Sequence, residues 1–152
     1  MNSLDDIINF GSHNSCFYSS FVFIINVLIA YYYGYYLYAG LFFALVITSL
    51  FQHSYYTFAT TIIDKIAIYC IVFYGGYLFY KKLIQLKIDE LTVKQYILSA
   101  FIISTFFLTI FMYYYGYLHS CLCFSDDNRQ ANLFHSFMHC VSCFGHCCIV
   151  VL

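Results

Sequence analysis

The sequence contains no proline and little charge: only 9% of its 152 residues are charged, whereas 63% are hydrophobic. So little charge, together with a mean hydropathy of +0.79, excludes an ordinary soluble domain. Because the chain contains no proline, no proline residue kinks or ends its helices. The formal net charge of −1, and the absence of a basic cluster outside 81–94, give no basis for nucleic-acid binding.

Long runs of the chain contain no Asp, Glu, Lys or Arg, namely 16–63, 66–80, 95–125 and 130–152. Because a helix of about 20 apolar residues spans a bilayer, these runs predict membrane-spanning helices. We therefore expect one all-α transmembrane domain over 1–152, a polytopic bundle of about five helices at 17–34, 38–53, 64–80, 96–118 and 133–152.

The predicted breaks between these helices differ in composition. The run 17–53 is too long for one span, and the tyrosines around Gly34 and Gly40 predict a turn at the membrane interface. Residues 54–63, rich in Ser, Thr and Tyr, predict a short connection. The charged linker 81–95 carries apolar residues at helical spacing, which predicts an interfacial amphipathic turn.

Neither a cleavable leader nor a disulfide scaffold is expected. Residues 1–15 carry Asp5 and Asp6 and lack the positive segment of a signal peptide. Of the eight cysteines, only Cys121 and Cys123 lie in a predicted loop. The other six lie in or beside apolar spans, where cysteine acts as a small hydrophobic residue.

The lysines predict the orientation of the chain in the membrane. Four of them lie in the linker between the third and fourth predicted helices, so that linker should be cytoplasmic. Counting spans back from it, the N-terminus is expected on the non-cytoplasmic side. Four ionisable residues then lie near that same face: His53, Asp64, His135 and His139.

These histidines have the spacing of a metal site. His135 and His139 are four residues apart, which places both imidazoles on one helical face, as in other helical zinc pairs. His53 adds a third nitrogen ligand. Three protein ligands with a free fourth position is the arrangement of catalytic zinc, whereas a structural site fills all four positions with protein.

Two further residues complete a hydrolytic constellation. Asp64 is the only acid between Asp6 and Asp89, and an ionisable residue at membrane depth is a functional candidate by default. Asp64 could orient a water molecule or take its proton, while Ser49, one turn from His53, could donate a hydrogen bond to an oxyanion. This set predicts hydrolysis of an amide or ester presented from the bilayer.

Each residue also has an ordinary structural interpretation. A histidine or serine within a membrane helix commonly serves helix packing, and an aspartate at a helix start commonly caps the helix. His146 is an unneeded fourth donor near the same face, whereas His13 and His119 lie at interfaces. His139 with the nearby cysteines could resemble a soft-metal site, but four ligands on one helix cannot converge tetrahedrally on one ion.

The sequence resembles the alkaline ceramidase family, part of a wider group of membrane hydrolases that includes adiponectin-receptor-like proteins and GPI-anchor-remodelling lipases. The resemblance covers roughly 45–70 and 133–150. Three patterns carry it: Ser49-x3-His53 with Asp64 eleven residues after that histidine, the segment Ile62-Ile-Asp64-Lys-Ile-Ala-Ile-Tyr69, and His135-x3-His139 with Gly145 ten residues after His135.

The resemblance implies a zinc ion held by the three histidines, a water positioned by Asp64 and an oxyanion stabilised by Ser49. It also implies cleavage of ceramide to a sphingoid base and a fatty acid. For such an enzyme we expect an internal membrane of endoplasmic reticulum or Golgi type. The lipase branch shares the Ser, His and Asp spacing, so the substrate class stays less defined than the reaction type.

The chain departs from the family in two ways. The family has seven spans, so five helices correspond to a truncated bundle. Two or more copies of the chain could associate to complete such a bundle. The family's acidic, Trp-containing calcium segment before the first helix is missing, since the chain has no Trp and only Asp5 and Asp6 precede the first span. We therefore expect no calcium site.

Two other classes of function compete with a hydrolase. One is a lipid-binding or receptor-like protein in which zinc has a structural role and no substrate is hydrolysed. The other is a small pore-forming or membrane-remodelling protein whose His and Asp side chains line a water path. A pore, however, needs neither three histidines at one depth nor the eleven-residue spacing of His53 and Asp64.

Overall fold

The computed structural model describes residues 15–86 and 91–152, and within these ranges the regular structure is entirely helical. The elements are α1 (Ser15–Ser20), α2 (Phe23–Tyr32), α3 (Tyr36–Ser54), α4 (Phe58–Gln85), α5 (Val93–His119), a short 3₁₀ helix (Leu122–Phe124) and α6 (Asn128–Val151).

Five segments in these ranges are long and apolar enough to cross a membrane. They are the continuous span Ser15–Tyr32, formed by α1 and α2, and the helices α3 to α6. Large apolar side chains such as Phe73 on α4 and Phe107 on α5 are exposed, as expected for faces that meet lipid tails. The prediction of an all-α, multi-pass membrane protein is confirmed.

Helix α4 begins at Phe58, six residues before the predicted start at Asp64. The cause is a capping box at Thr57: its hydroxyl accepts from the Thr60 N–H at 3.2 Å, and the Thr60 hydroxyl accepts from the Thr57 N–H at 3.0 Å. The connection predicted over 54–63 is therefore much shorter. Asp64 lies inside the helix and does not cap it.

Caps also lengthen the last two helices. Thr92 and Gln95 form a second capping box, so α5 starts at Val93. The Asp127 carboxylate accepts from the Arg129 N–H at 2.9 Å, so α6 starts at Asn128, five residues before the predicted start at 133.

The first span contains a tight turn that the sequence does not predict. The N–H groups of Phe21 and Val22 donate to carbonyls three residues earlier, at 3.2 and 3.1 Å, as in a 3₁₀ helix. The hydroxyls of Ser19 and Ser20 both donate to the Cys16 carbonyl, at 3.0 and 2.8 Å. Such back-bonding by serine bends helices, which accounts for the break between α1 and α2.

The turn predicted at the tyrosine-rich stretch lies between α2 and α3. Gly34 has a φ of 80°, a left-handed conformation that glycine adopts without steric cost. Helix α6 contacts α1, α2, α5 and, over a smaller area, α4. Helix α3 packs against α1, α2 and α4, and side chains of α2 and α3 such as Phe23, Tyr38 and Phe42 fill the core.

Several sequence-based predictions concern residues outside the two described ranges. They are the absence of a calcium site at Asp5 and Asp6, the absence of a leader in residues 1–15, the interfacial position of His13, and the part of the amphipathic linker that contains Lys87 and Ile88.

Two adjacent glycines of α4 test the packing of the bundle. A Cβ at Gly75 would lie 3.1 Å from Nδ1 of His146 and would also meet the Tyr38 hydroxyl, whereas a Cβ at Gly76 would meet nothing within 4 Å. Gly75→Ala should therefore destabilise the protein by about 1–3 kcal/mol through overpacking. Gly76→Ala should be neutral or stabilise it by up to about 1 kcal/mol, because alanine favours the helix.

Thermal unfolding of both variants in detergent micelles measures the difference. Equal unfolding temperatures for the two variants would contradict the close approach of α3, α4 and α6 at Gly75.

Candidate metal centre

Three imidazoles meet at one end of the bundle. His53 lies in the last turn of α3, and His135 and His139 lie one turn apart on α6. The ring centroids are 5.1 Å apart for His53 and His135, 5.6 Å for His53 and His139, and 4.8 Å for His135 and His139. One nitrogen of each ring lies within 4.8 Å of the others. The structure thus brings His53 next to two histidines that are more than 80 positions away in the sequence.

The cluster is partly shielded from its surroundings. His139 is buried, with 7% of its surface exposed, while His53 and His135 are half-buried. The ring of Phe23 packs against His139 with centroids 5.3 Å apart. Neutral imidazoles are common ligands of zinc, copper and other transition metals. The donor set therefore fits such an ion and leaves room for a further ligand.

Ser49 lies one turn before His53 on α3 and is buried. Its hydroxyl forms a hydrogen bond of 3.1 Å with the hydroxyl of Ser20 on α1. The sequence-predicted Ser49 is thus near the cluster, but in this state its hydroxyl is paired with a serine of the first span.

Asp64 is also buried, on the face of α4 that packs against α3. The Thr48 hydroxyl lies 3.2 Å from a carboxylate oxygen of Asp64 and 3.2 Å from the Leu45 carbonyl oxygen, and it can donate its single proton to either acceptor. Within the described part of the chain, this carboxylate is not a member of the close group of metal-ligating atoms. Asp64 is therefore held against Thr48 of α3 and lies outside the group formed by the three histidines.

Three hydroxyl residues that were not predicted from the sequence contact the predicted site. Ser19 is hydrogen-bonded to Nδ1 of His139 at 2.8 Å, Ser20 to Ser49, and Thr48 to Asp64. A signal existed, because polar residues inside an apolar span need partners within the protein. The sequence does not say, however, which helix face each residue occupies.

The two other histidines of the described ranges lie elsewhere. His146 is hydrogen-bonded to the Tyr38 hydroxyl, with the ring of Phe42 5.2 Å away, and it is not part of the cluster. It therefore does not provide the additional ligand considered in the sequence analysis. His119 packs on Tyr115 at the end of α5, with ring centroids 4.3 Å apart.

The cysteines of α6 contribute to the contact with α2. The Cys143 thiol donates to the Val22 carbonyl at 3.5 Å, and the Asn26 side-chain amide donates to the Cys147 sulfur at 3.2 Å. All eight cysteines of the sequence lie in the described ranges, and all are free thiols. Outside the spans, burial raises the pKa of the Cys123 thiol to about 11.

One cation lies next to Asp64 in the sequence. The Nζ atom of Lys65 lies 4.4 Å from the centre of the Tyr113 ring, a cation–π contact that joins α4 to α5. This contact links two helices that are consecutive in the chain and that, within the described ranges, do not pack closely along their lengths.

Comparisons of the chain with protein-family models, with curated proteins and with solved structures find no match. The fold and the site together define a multi-pass α-helical membrane protein with a cluster of three histidines. Its function has to be inferred from the chemistry of that cluster and of the residues around it.

The hydrogen bond between Thr48 and Asp64 provides a test of this end of the bundle. Thr48→Val keeps the side-chain shape but removes the donor to a buried carboxyl group, so it should destabilise the protein by roughly 1–3 kcal/mol. Thr109→Val is the matched control, because the Thr109 hydroxyl donates only to the Thr105 carbonyl of its own helix.

Unfolding of both variants in detergent micelles gives the two stability changes. Replacing Asp64 by Leu should abolish most of the cost of Thr48→Val if the two side chains interact. A cost that persists in the Asp64→Leu background would contradict the interaction.

Proposed function

We propose that this protein is a zinc-dependent intramembrane lipid hydrolase, which cleaves the amide bond of a ceramide-like lipid to give a sphingoid base and a fatty acid. The observation that carries the proposal is the convergence of His53, His135 and His139 at one end of a membrane bundle. The resemblance to alkaline ceramidases at the same residues supports the choice of substrate.

His53, His135 and His139 would hold the zinc ion through neutral nitrogens. When bound, zinc supplies a Lewis acid that polarises a carbonyl and makes water a stronger acid. The burial of His139 under Phe23 favours this chemistry, because electrostatic interactions are stronger where water is excluded.

The other residues supply proton transfer and hydrogen bonding. Asp64 would take a proton from the attacking water, whose oxygen ends in the fatty acid. The same proton would pass to the nitrogen of the leaving sphingoid base as the carbon–nitrogen bond breaks. Thr48 orients Asp64, and the Ser49 hydroxyl would stabilise the negative charge on the carbonyl oxygen.

The lipid bilayer is the environment in which the five spans are expected to lie. The proposed substrate would reach the site from that bilayer. We also propose that the lysine-rich connection around Lys81, Lys82 and Lys94 is cytoplasmic, which makes the N-terminal side non-cytoplasmic and places the enzyme in an internal membrane of endoplasmic reticulum or Golgi type. The exposed apolar faces of α4 and α5 leave room for self-association of a bundle with fewer spans than the ceramidases.

One observation favours a second candidate, a lipid-binding or receptor-like protein with a structural zinc ion. Both proposed catalytic side chains already have partners in the protein, Ser49 in Ser20 and Asp64 in Thr48. Such pairing suits a packed, non-catalytic bundle as well as a resting enzyme, so the experiments have to separate metal binding from turnover.

The first prediction concerns metal content. Protein purified in detergent should contain about one zinc ion per chain, measured by elemental mass spectrometry. The His135→Ala/His139→Ala double variant should contain none, because one remaining imidazole cannot hold the ion. His119→Ala is the control that removes a histidine outside the cluster, and it should keep the zinc. A folded wild type without zinc would contradict both candidates.

The second prediction concerns turnover. The wild type should release fatty acid from a fluorescent ceramide in mixed micelles, and Asp64→Asn should lower the rate by at least roughly 10²-fold, as expected for loss of a general base. Asp126→Asn changes an acid of the α5–α6 loop and should keep full activity.

Asp64→Asn should retain about one zinc ion per chain, because Asp64 is outside the close group of ligating atoms. Zinc in the wild type without hydrolysis of ceramide, other amide lipids or ester lipids would favour the lipid-binding candidate over the hydrolase.

A further inference from the structure

Ser19 links the first span to the histidine cluster. Its Oγ lies 2.8 Å from Nδ1 of His139 and 3.0 Å from the Cys16 carbonyl oxygen. Ser19 is half-buried and belongs to the tight turn that separates α1 from α2, whereas His139 is buried on α6. The contact therefore joins two elements that are 120 residues apart in sequence.

Only one placement of the protons makes both contacts of Ser19 hydrogen bonds at the same time. A serine hydroxyl has one proton to donate, and a neutral imidazole has one N–H and one nitrogen lone pair. The Cys16 carbonyl can only accept, so a hydroxyl that donates to it must accept from His139. In that arrangement Nδ1 of His139 carries the proton.

The consequence for the cluster lies at the other nitrogen of the ring. A metal ion binds the unprotonated nitrogen, and Nδ1 is occupied by its bond to Ser19. With the proton on Nδ1, the lone pair of Nε2 is free to face His53 and His135. Hydrogen bonds of this kind commonly fix the tautomer and the ring orientation of histidine ligands.

We propose that Ser19 is a positioning residue of the metal centre: it holds His139 in the Nδ1–H tautomer, so that Nε2 binds the metal ion. This inference rests on the proposed function, since it assumes that the three histidines bind a metal. Ser19 touches neither substrate nor metal and acts through His139.

The neighbouring Ser20 supplies a matched control. Its hydroxyl makes the same bond to the Cys16 carbonyl, at 2.8 Å, but its second contact is with Ser49 and not with a histidine. Ser20→Ala therefore removes an equivalent hydroxyl from the same turn while leaving the contact to His139 intact.

The first experiment measures zinc affinity by competition with a chelator of known affinity, on detergent-purified full-length protein. Ser19→Ala should bind zinc about 10–100-fold more weakly than the wild type, the usual effect of removing the partner of a histidine ligand. Ser19→Thr, which keeps a hydroxyl, should restore most of the affinity. Ser20→Ala should keep the wild-type affinity.

The second experiment reads the tautomer directly and uses the wild type, so it does not depend on the folding of a variant. In protein labelled with ¹⁵N at histidine and loaded with zinc, His139 should show a one-bond N–H coupling at Nδ1 and none at Nε2. His139→Asn identifies its signals by their loss. A protonated Nε2 in the loaded protein would overturn the proposal.

The outcomes separate this inference from the proposed function. A wild type that binds zinc, beside a Ser19→Ala variant of equal affinity, overturns the role of Ser19 and leaves the metal site standing. Equal weakening by Ser19→Ala and Ser20→Ala reduces Ser19 to a packing residue and likewise overturns the role. A wild type that binds no zinc overturns both.

Discussion

A polar side chain inside a lipid-embedded bundle must find its partner within the protein, because the hydrocarbon offers none. In this protein that constraint acts mainly at one end. Three side-chain contacts there tie four helical elements together: Ser19 with His139 joins α1 to α6, Ser20 with Ser49 joins α1 to α3, and Thr48 with Asp64 joins α3 to α4. One of these contacts, Ser19 with His139, reaches the histidine cluster itself, so the packing of α1 against α6 and the position of His139 depend on the same hydrogen bond.

The tight turn between α1 and α2 shows how local structure serves this arrangement. Ser19 and Ser20 are adjacent, yet they contact different helices, α6 and α3. Their shared bond to the Cys16 carbonyl accompanies the bend in the span. Because adjacent residues on a helix point about 100° apart, the two hydroxyls reach different neighbouring helices.

The sequence predicted the architecture well, because charge-free runs and the spacing of His135 and His139 are local signals. It missed the start of α4, since the Thr57–Thr60 capping box outweighed the composition of 54–63. It also missed Ser19, Ser20 and Thr48, because their partners depend on helix rotation and crossing, which linear spacing does not encode. The roles of Ser49 and Asp64, which follow from their positions in the sequence and agree with the resemblance, are proposals. The structure adds their hydrogen bonds to Ser20 and Thr48, which those roles have to accommodate.

A hydrolase and a protein with a structural zinc ion place different demands on two hydrogen bonds, Ser49 with Ser20 and Asp64 with Thr48. A hydrolase has to release the Ser49 hydroxyl from Ser20 and give Asp64 access to water, and in a medium without water each lost bond is costly unless another group replaces it. A ceramide-like lipid brings such groups, because its amide N–H, carbonyl and hydroxyls can donate and accept. A lipid without polar groups near the scissile bond could not offset the exchange. Under the proposed function, the internal pairing of Ser49 and Asp64 would favour substrates with hydrogen-bonding head regions and would keep the site inert toward the acyl chains around it.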